Sequence, residues 1–198
     1  AACRELMPSF VELATHDESP MVRLTLASTL QRLPVDQRTT LARALVAHDE
    51  DAGDHNLPLM IWYGLMAVAD ESPQQLVDVA AACRLPTTLR LISRCLAEQI
   101  EDHPNAINQL LEVAISSDPQ RAMILQGISQ GLKGWRQASK PNNWDRVVAL
   151  RDERTAAVTR ELSVVFGDGR AMDELRRLVM DGENADTSLR LEALNTLI

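Results

Sequence analysis

Apolar residues recur at intervals of three and four along most of the chain, which is the spacing that places side chains on one face of an α-helix. In residues 20–33, for example, Val22, Leu26, Leu30 and Leu33 share one face. No stretch alternates apolar and polar residues for long enough to predict a β-strand. The pattern therefore predicts an all-α protein.

Prolines mark the start of many of the predicted helices, because the first helical turn tolerates a residue that has no N–H group. Six prolines directly precede a stretch of helical periodicity: Pro20, Pro58, Pro73, Pro86, Pro104 and Pro119. Together with short polar loops, these signals predict twelve helices. Their approximate spans are residues 3–15, 20–33, 35–48, 57–69, 73–83, 86–101, 104–116, 119–132, 143–150, 152–166, 169–180 and 186–198.

One helical phrase occurs near both ends of the chain. Residues 22–30 read Val-Arg-Leu-Thr-Leu-Ala-Ser-Thr-Leu, and residues 189–197 read Leu-Arg-Leu-Glu-Ala-Leu-Asn-Thr-Leu, with four of the nine positions identical. The second helices of successive pairs begin 28 to 38 residues apart, as in helical-repeat proteins. The sequence therefore predicts about six stacked helix pairs that form an α-α superhelix.

The residues around this phrase resemble a known repeat family. Residues 17–27 follow the pattern Asp-x-x-x-x-Val-Arg-x-x-x-Ala, which resembles a HEAT repeat, and the last predicted helix is similar with a tighter spacing. In HEAT arrays this arginine typically reaches an aspartate in the turn within the repeat. The resemblance implies structural pairs of Arg23 with Asp17 or a neighbour, and of Arg190 with Asp186 or a neighbour.

Charge and composition narrow the possible functions. The chain has 20 Lys and Arg against 28 Asp and Glu, a net charge of −8, which disfavours binding to nucleic acid. The longest uncharged apolar run, residues 57–69, is too short to cross a bilayer, so we expect no membrane insertion. The three cysteines form no Cys-x-x-Cys motif. Buried thiols are the favoured interpretation, and a bridge between Cys83 and Cys95 is the alternative.

Two motifs suggest chemistry but fit poorly. Residues 127–131 match Gly-x-Ser-x-Gly, yet the preceding residues read as helix and the last histidine, His103, precedes the serine. A nucleophile elbow needs a strand before the serine and a histidine after it. We expect these glycines, with Gly134, to allow close helix contact instead.

The acidic run 49–55 lacks the glycine and glutamate positions of an EF-hand loop, which favours a solvated loop over a weak cation site. We expect no catalytic residue, cofactor or metal.

The segment 54–65 is the most unusual, because it carries adjacent aromatic residues in a chain with 3% aromatics. Neighbouring helical residues point about 100° apart, so at most one of Trp62 and Tyr63 faces the core. In one interpretation Trp62 is a core residue and Tyr63 lies at its rim. In the other, His55, Trp62 and Tyr63 bind a partner.

This segment, Asp-His-Asn-Leu-Pro-Leu-Met-Ile-Trp-Tyr-Gly-Leu, also resembles the HEAT-like region of large multidomain proteins of planctomycetes and verrucomicrobia. Those proteins are described as membrane-bound dehydrogenases or haem-binding CxxCH proteins. They carry a β-propeller, helical repeats and a c-type cytochrome domain. The resemblance implies an exported, redox-associated parent protein. This chain contains no CxxCH motif, so no haem ligand is implied here.

Taken together, we expect residues 1–198 to form a single HEAT-like repeat domain and to be a piece of a longer chain. The expected function is a non-catalytic scaffold that contacts a protein partner or neighbouring domains of the same chain. An independent cytosolic protein-binding module is the first alternative. A HEAT-like DNA glycosylase is the second, and it would require a basic groove that this acidic sequence does not indicate.

Overall fold

The computed structural model describes residues 2–180 and 187–197, and over these residues the protein is all-helical, as predicted. The helices are α1 (Ala2–His16), α2 (Pro20–Thr29), α3 (Val35–Leu45), α4 (Leu57–Glu71), α5 (Pro73–Ala82), α6 (Pro86–Glu98), α7 (Pro104–Ser116), α8 (Asp118–Gly131), α9 (Trp144–Ala149), α10 (Ala156–Val165), α11 (Gly169–Met180) and α12 (Thr187–Leu197).

Three short 3₁₀ segments account for some of the differences from the predicted spans, and the others are helix ends shifted by one to three residues. They are Leu30–Arg32, Asp49–Gly53 and Glu153–Thr155. The first continues the predicted helix 20–33 beyond α2, and the third precedes α10 within the predicted helix 152–166. The second lies in the acidic run that was expected to be a loop. Such 3₁₀ turns are frequent at helix ends, where the regular hydrogen-bond pattern tightens.

The first eight helices pack mainly against the helix next to them in sequence and the helix two places along, whereas α9 packs mainly against α7. The odd-numbered helices α1, α3, α5, α7 and α9 contact one another in order and form one layer. The even-numbered helices α2, α4, α6, α8 and α10 form a second layer in the same way. The remaining two helices, α11 and α12, pack on each other, and α11 also contacts α10. The hydrophobic core lies between the two layers and runs from Ala14 to Phe166.

Polar side chains link successive helices of the odd-numbered layer at a regular sequence separation. The linked pairs are Arg4–Asp36, Thr39–Gln75, Gln74–Gln109 and Glu112–Arg146. Partners lie 32 to 36 residues apart, which is close to the predicted repeat spacing. The outer surface of this layer therefore repeats with the same period as the helix pairs.

The longest connection, residues 132–143, is held against the rest of the chain. The backbone N–H of Ala138 donates to the carbonyl of Val165 at 2.9 Å, and Ser139 donates from its N–H and its hydroxyl to Glu101. Trp144, which follows the connection, is fully buried and donates from its indole N–H to Ser163 at 3.0 Å. The connection is thus anchored to α10 on one side and to the turn between α6 and α7 on the other.

The most extensive contact in the even-numbered layer joins α6 and α8, and two glycines make it possible. A Cβ on Gly127 would lie 2.5 Å from the carbonyl oxygen of Arg90, and one on Gly131 would lie 2.5 Å from that of Arg94. Since a real Cβ does not approach a backbone oxygen so closely, only glycine lets the two backbones meet. Gly134 was expected to share this contact, but it lies beyond α8 with a φ of 87°, and a Cβ there would meet no atom within 4 Å.

We predict that Gly127→Ala lowers the free energy of unfolding by about 1–3 kcal/mol, because the new methyl group forces α8 away from α6. The matched control is Gly53→Ala, since a Cβ at Gly53 meets no atom within 4 Å. The control is expected to change stability by less than about 1 kcal/mol. Urea unfolding measures both variants, and equal midpoints would contradict the assigned backbone contact.

Candidate functional site

The start of α4 positions the candidate partner-binding residues. One carboxylate oxygen of Asp54 accepts hydrogen bonds from the backbone N–H groups of Asn56 and Leu57, both at 2.7 Å, and so caps the first turn of α4. These contacts hold the pKa of Asp54 below its ordinary value. Trp62, in the second turn, is partly buried against the core, and Tyr63 is 49% exposed. His55 is exposed in the connection before the helix.

An open groove lies between α4 and α6. It has a volume of about 500 Å³, and its walls include Trp62, Met66, Asp70, Leu91, Arg94, Cys95 and Glu98. We call it the α4–α6 groove. Of the three residues predicted to bind a partner, Trp62 lines this groove, whereas His55 and Tyr63 do not. The structure therefore does not bring the three residues together in one site.

The charges of the α4–α6 groove are concentrated at one end. Arg94 donates from Nε to Glu98 at 2.8 Å, and among the described side chains Asp70 has no hydrogen-bond or ion-pair partner. The pKa of the Cys95 thiol is raised to about 11, first by burial and then by the nearby carboxylates of Glu98 and Asp70. The groove thus combines an apolar floor with an acidic end, and its thiol is protonated at neutral pH.

A second set of contacts joins the turns between helices, and we call these contacts turn clamps. In the first clamp Arg23 of α2 donates from Nε and Nη2 to the carboxylate of Asp51, at 2.5 and 2.8 Å, and from Nη1 to the backbone carbonyl of Asp17 at 2.8 Å. Only 3% of the Arg23 side chain and 4% of the Asp51 side chain are exposed. The hydrogen bonding of its guanidinium to the carboxylate of Asp51 raises the pKa of Arg23 above its ordinary value.

This geometry differs from the pairing that the sequence implied. Arg23 does contact Asp17, but through the main-chain oxygen, and its main carboxylate partner is Asp51, 28 residues further along in the connection between α3 and α4. His48 extends the same junction, because its Nδ1 lies 2.8 Å from Glu50 and its Nε2 lies 2.7 Å from the carbonyl of Ala14. The first clamp therefore ties the end of α1, the start of α2 and the turn before α4 together.

Sequence reasoning missed a second clamp, at Arg121 of α8. Its Nε donates to the carbonyl of Ala114 at 2.9 Å, and its Nη1 donates to Asp152 at 2.8 Å and to Asp118 at 2.6 Å. Asp152 follows Arg121 by 31 residues, much as Asp51 follows Arg23. The repeat spacing was the signal that could have found both aspartates.

Hydrogen bonding to arginine governs the acid titration of the second clamp. Arg154 and then Arg121 hold the pKa of Asp152 well below its usual range, and Arg154 lowers that of Asp118. Because the pKa values of Asp152 and Asp118 are lowered in the folded state, the interactions of these carboxylates with arginine stabilise the fold at neutral pH. It is lost as the pH falls through the folded-state values.

Other junctions use different groups. Between α3–α4 and α5–α6, the backbone N–H of Arg84 donates to the carbonyl of Val46 at 2.8 Å. Between α5–α6 and α7–α8, the side-chain amide of Gln120 donates to the carbonyls of Ala80 and Cys83 at 3.0 and 2.8 Å. Near the C-terminal end, Arg190 donates to the carbonyl of Val179, as Arg23 does to that of Asp17. Its predicted partner Asp186 lies outside the described residues.

The rejected motifs take structural roles. Ser129 of the Gly-x-Ser-x-Gly motif lies within α8, and its hydroxyl donates to Glu161 of α10 at 3.1 Å.

Cys83 and Cys95 are free thiols, so the alternative of a bridge between them is wrong in this structure. Burial raises the pKa of Cys83 to about 12.

Residues 2–180 and 187–197 contain no group of three or more His, Cys, Asp or Glu side chains arranged to hold a metal ion. Over the same ranges, none of the helices combines the length and the apolar character that a membrane span requires. Compared with known proteins, the chain matches no family model, no curated protein and no solved structure. Its function must therefore be argued from its own residues.

We predict that Asp51→Ala lowers the free energy of unfolding by about 3–5 kcal/mol, because it removes the buried carboxylate that accepts two hydrogen bonds from Arg23. The remaining carboxylate partner, Glu50, is 56% exposed and lies 3.5 Å from Nη2 of Arg23. The control is Asp36→Ala, which breaks the ion pair of Asp36 with Arg4. This pair lies at the surface, where the side chain of Arg4 is 75% exposed and that of Asp36 is 59% exposed. The control is expected to lose less than about 1 kcal/mol. Chemical denaturation measures both losses, and losses of equal size would show that the first clamp stabilises no more than a surface ion pair.

We predict that Tyr63→Ala changes the free energy of unfolding by less than about 1 kcal/mol, because Tyr63 is an exposed residue. Ile61 of the same helix is fully buried, and Ile61→Ala is expected to cost about 2–5 kcal/mol. Thermal and urea unfolding of the two variants give the comparison. A loss for Tyr63→Ala as large as that for Ile61→Ala would assign Tyr63 to the core.

Proposed function

We propose that this chain is a non-catalytic scaffold built as a HEAT-like α-α superhelix of about six helix pairs. The two layers of helices support this proposal, because helices contact mainly their near neighbours in sequence, as in stacked repeats. Each pair has an apolar face that the adjacent pair covers. The scaffold would contact a protein partner or neighbouring domains of its parent chain.

The observation that carries the proposal is the recurrence of the turn clamp. Arg23 and Arg121 each donate to a carbonyl at or just after the end of the preceding helix. Each also donates to a buried or largely buried aspartate in the connection within the next helix pair. The two arginines lie 98 residues apart (121 − 23), which corresponds to three repeats at the spacing of 28 to 38 residues read from the sequence. The same contact at a multiple of one spacing is typical of a repeat array.

The even-numbered layer is the proposed binding face. It carries the α4–α6 groove and several exposed apolar side chains, including Met21, Tyr63 and Met66. Exposed apolar and aromatic side chains grouped on one face are typical of interaction surfaces. The candidate residues of that face are Trp62 and Tyr63, with His55 beside them in the sequence.

The resemblance of residues 54–65 suggests where such a scaffold would work. On that basis we propose that it connects a β-propeller to a c-type cytochrome domain in an exported, redox-associated protein. The sequence on either side of this region in its parent gene provides a direct check. A propeller before it and a CxxCH motif after it are expected, and their absence would favour the independent cytosolic protein-binding module.

Photo-cross-linking in the purified parent protein tests the scaffold function. A benzophenone amino acid placed at Met66, in the groove, is expected to cross-link to a neighbouring domain or to a co-purifying partner. The same amino acid at Asp78, an exposed residue of α5 in the other layer, is the matched control and is expected to give no such product. Equal products at both positions, or none at Met66, would contradict the assigned binding face.

A DNA-binding assay separates the scaffold from the DNA glycosylase. With a net charge of −8, the chain is expected to leave a labelled duplex unshifted even at low salt, where phosphate contacts are strongest. Salt-dependent binding would overturn the scaffold proposal in favour of the glycosylase.

A further inference from the structure

We infer that the α4–α6 groove binds an amphipathic α-helix that places a lysine or arginine side chain beside Asp70. This inference rests on the proposed scaffold function and adds the chemistry of the partner. The occupant is thus a helical protein segment with an apolar face and a basic side chain at one end of that face.

The floor of the groove supplies the apolar part of the contact. Trp62 and Met66 of α4 face Leu91 and Cys95 of α6 across it. Met66 is 50% exposed, so an occupant would bury a long, flexible side chain that the folded protein leaves in water. Methionine adapts to the shape of an incoming apolar surface, and aromatic side chains such as that of Trp62 contribute large buried areas.

The walls of the groove favour a helix over an extended peptide. Both walls are α-helices, whose internal backbone N–H and C=O groups already bond to one another. An extended peptide in the groove would find no backbone partners there, and its own buried N–H and C=O groups would lose their water. A helix satisfies its own backbone and packs its side chains between those of α4 and α6, as the helices of this protein already do.

The charge of the groove specifies a basic residue. Asp70 lies in the last turn of α4 and Glu98 is the last residue of α6, and neither helix has a basic residue in its last turn. A helix C-terminus carries partial negative charge from its free carbonyl groups, which normally attracts cations. Two carboxylates and two helix C-termini therefore meet at one end of the groove, and Arg94 is paired with Glu98 alone.

The length of the groove fits a short helical segment. Trp62 and Asp70 lie eight residues apart on α4, a rise of about 12 Å along the helix axis. A docked helix of about two to three turns spans this distance. Its apolar side chains would lie over Trp62 and Met66, and its basic side chain would reach Asp70.

Binding of two model peptides by fluorescence anisotropy tests the inference. Both peptides are amphipathic helices of about 18 residues with leucine on one face, and lysine or glutamate fills the remaining positions. At about 0.15 M ionic strength, where long-range charge effects are screened, the Leu/Lys peptide is expected to bind and the Leu/Glu peptide to bind at least about tenfold more weakly.

Two charge-reversed variants locate the binding site. Asp70→Lys is expected to weaken binding of the Leu/Lys peptide at least about tenfold. Asp78→Lys changes the net charge equally but lies in the other layer, on a surface formed with α3, and is expected to stay within about twofold of the wild type. Both positions are exposed, and circular dichroism checks that both variants keep their helical content.

Equal weakening by the two variants, or equal binding of the two peptides, would overturn the basic-helix inference. Cross-linking at Met66 in the parent protein would be unaffected by that result, so the scaffold proposal would stand. The opposite outcome is that Met66 gives no cross-links while the Leu/Lys peptide still binds more tightly than the Leu/Glu peptide. That outcome would reject the scaffold proposal, and the inference about the basic helix would stand.

Discussion

The arrangement of the first helix pairs depends on a buried arginine that must satisfy two kinds of acceptor at once. The guanidinium of Arg23 has to meet a main-chain carbonyl just after the end of α1 and a carboxylate from the connection between α3 and α4. A planar group with a fixed set of donors accepts little variation in where those oxygens lie. A single side chain therefore fixes the relative position of three segments that are distant in sequence. Arg121 imposes the same condition on a later junction.

Helix positions were largely predictable because local signals specify them. Proline in the first turn and apolar residues at helical spacing marked almost every helix before the contacts between helices were known. The partners of the arginines were not predictable in the same way. Asp51 lies in an acidic run whose composition is typical of a solvated loop, yet it is the most buried member of that run. Arg121 lacks the leucine neighbours of Arg23 and Arg190, so the repeated phrase did not reveal it.

Only one wall of the α4–α6 groove could be predicted from the sequence, because the position of the other wall depends on tertiary structure. Trp62 stands out by composition in a chain with few aromatic residues. The opposite wall of the groove, Leu91 and Cys95, belongs to an ordinary amphipathic helix. Whether those residues face a neighbour or a cleft depends on how far α6 lies from α4. That separation is a tertiary property, and no local pattern in α6 reports it.

The glycine contact between α6 and α8 has a mechanical consequence. Two helices whose backbones touch at two successive turns leave little space for sliding past each other. Between α4 and α6 the buried hydroxyl of Thr88 donates to the carbonyl of Pro58 at 2.9 Å, which joins the first turns of the two helices. The cleft opens further along, between Trp62 and Glu98. A segment that fills that cleft would add the contacts that α4 and α6 lack along their second halves.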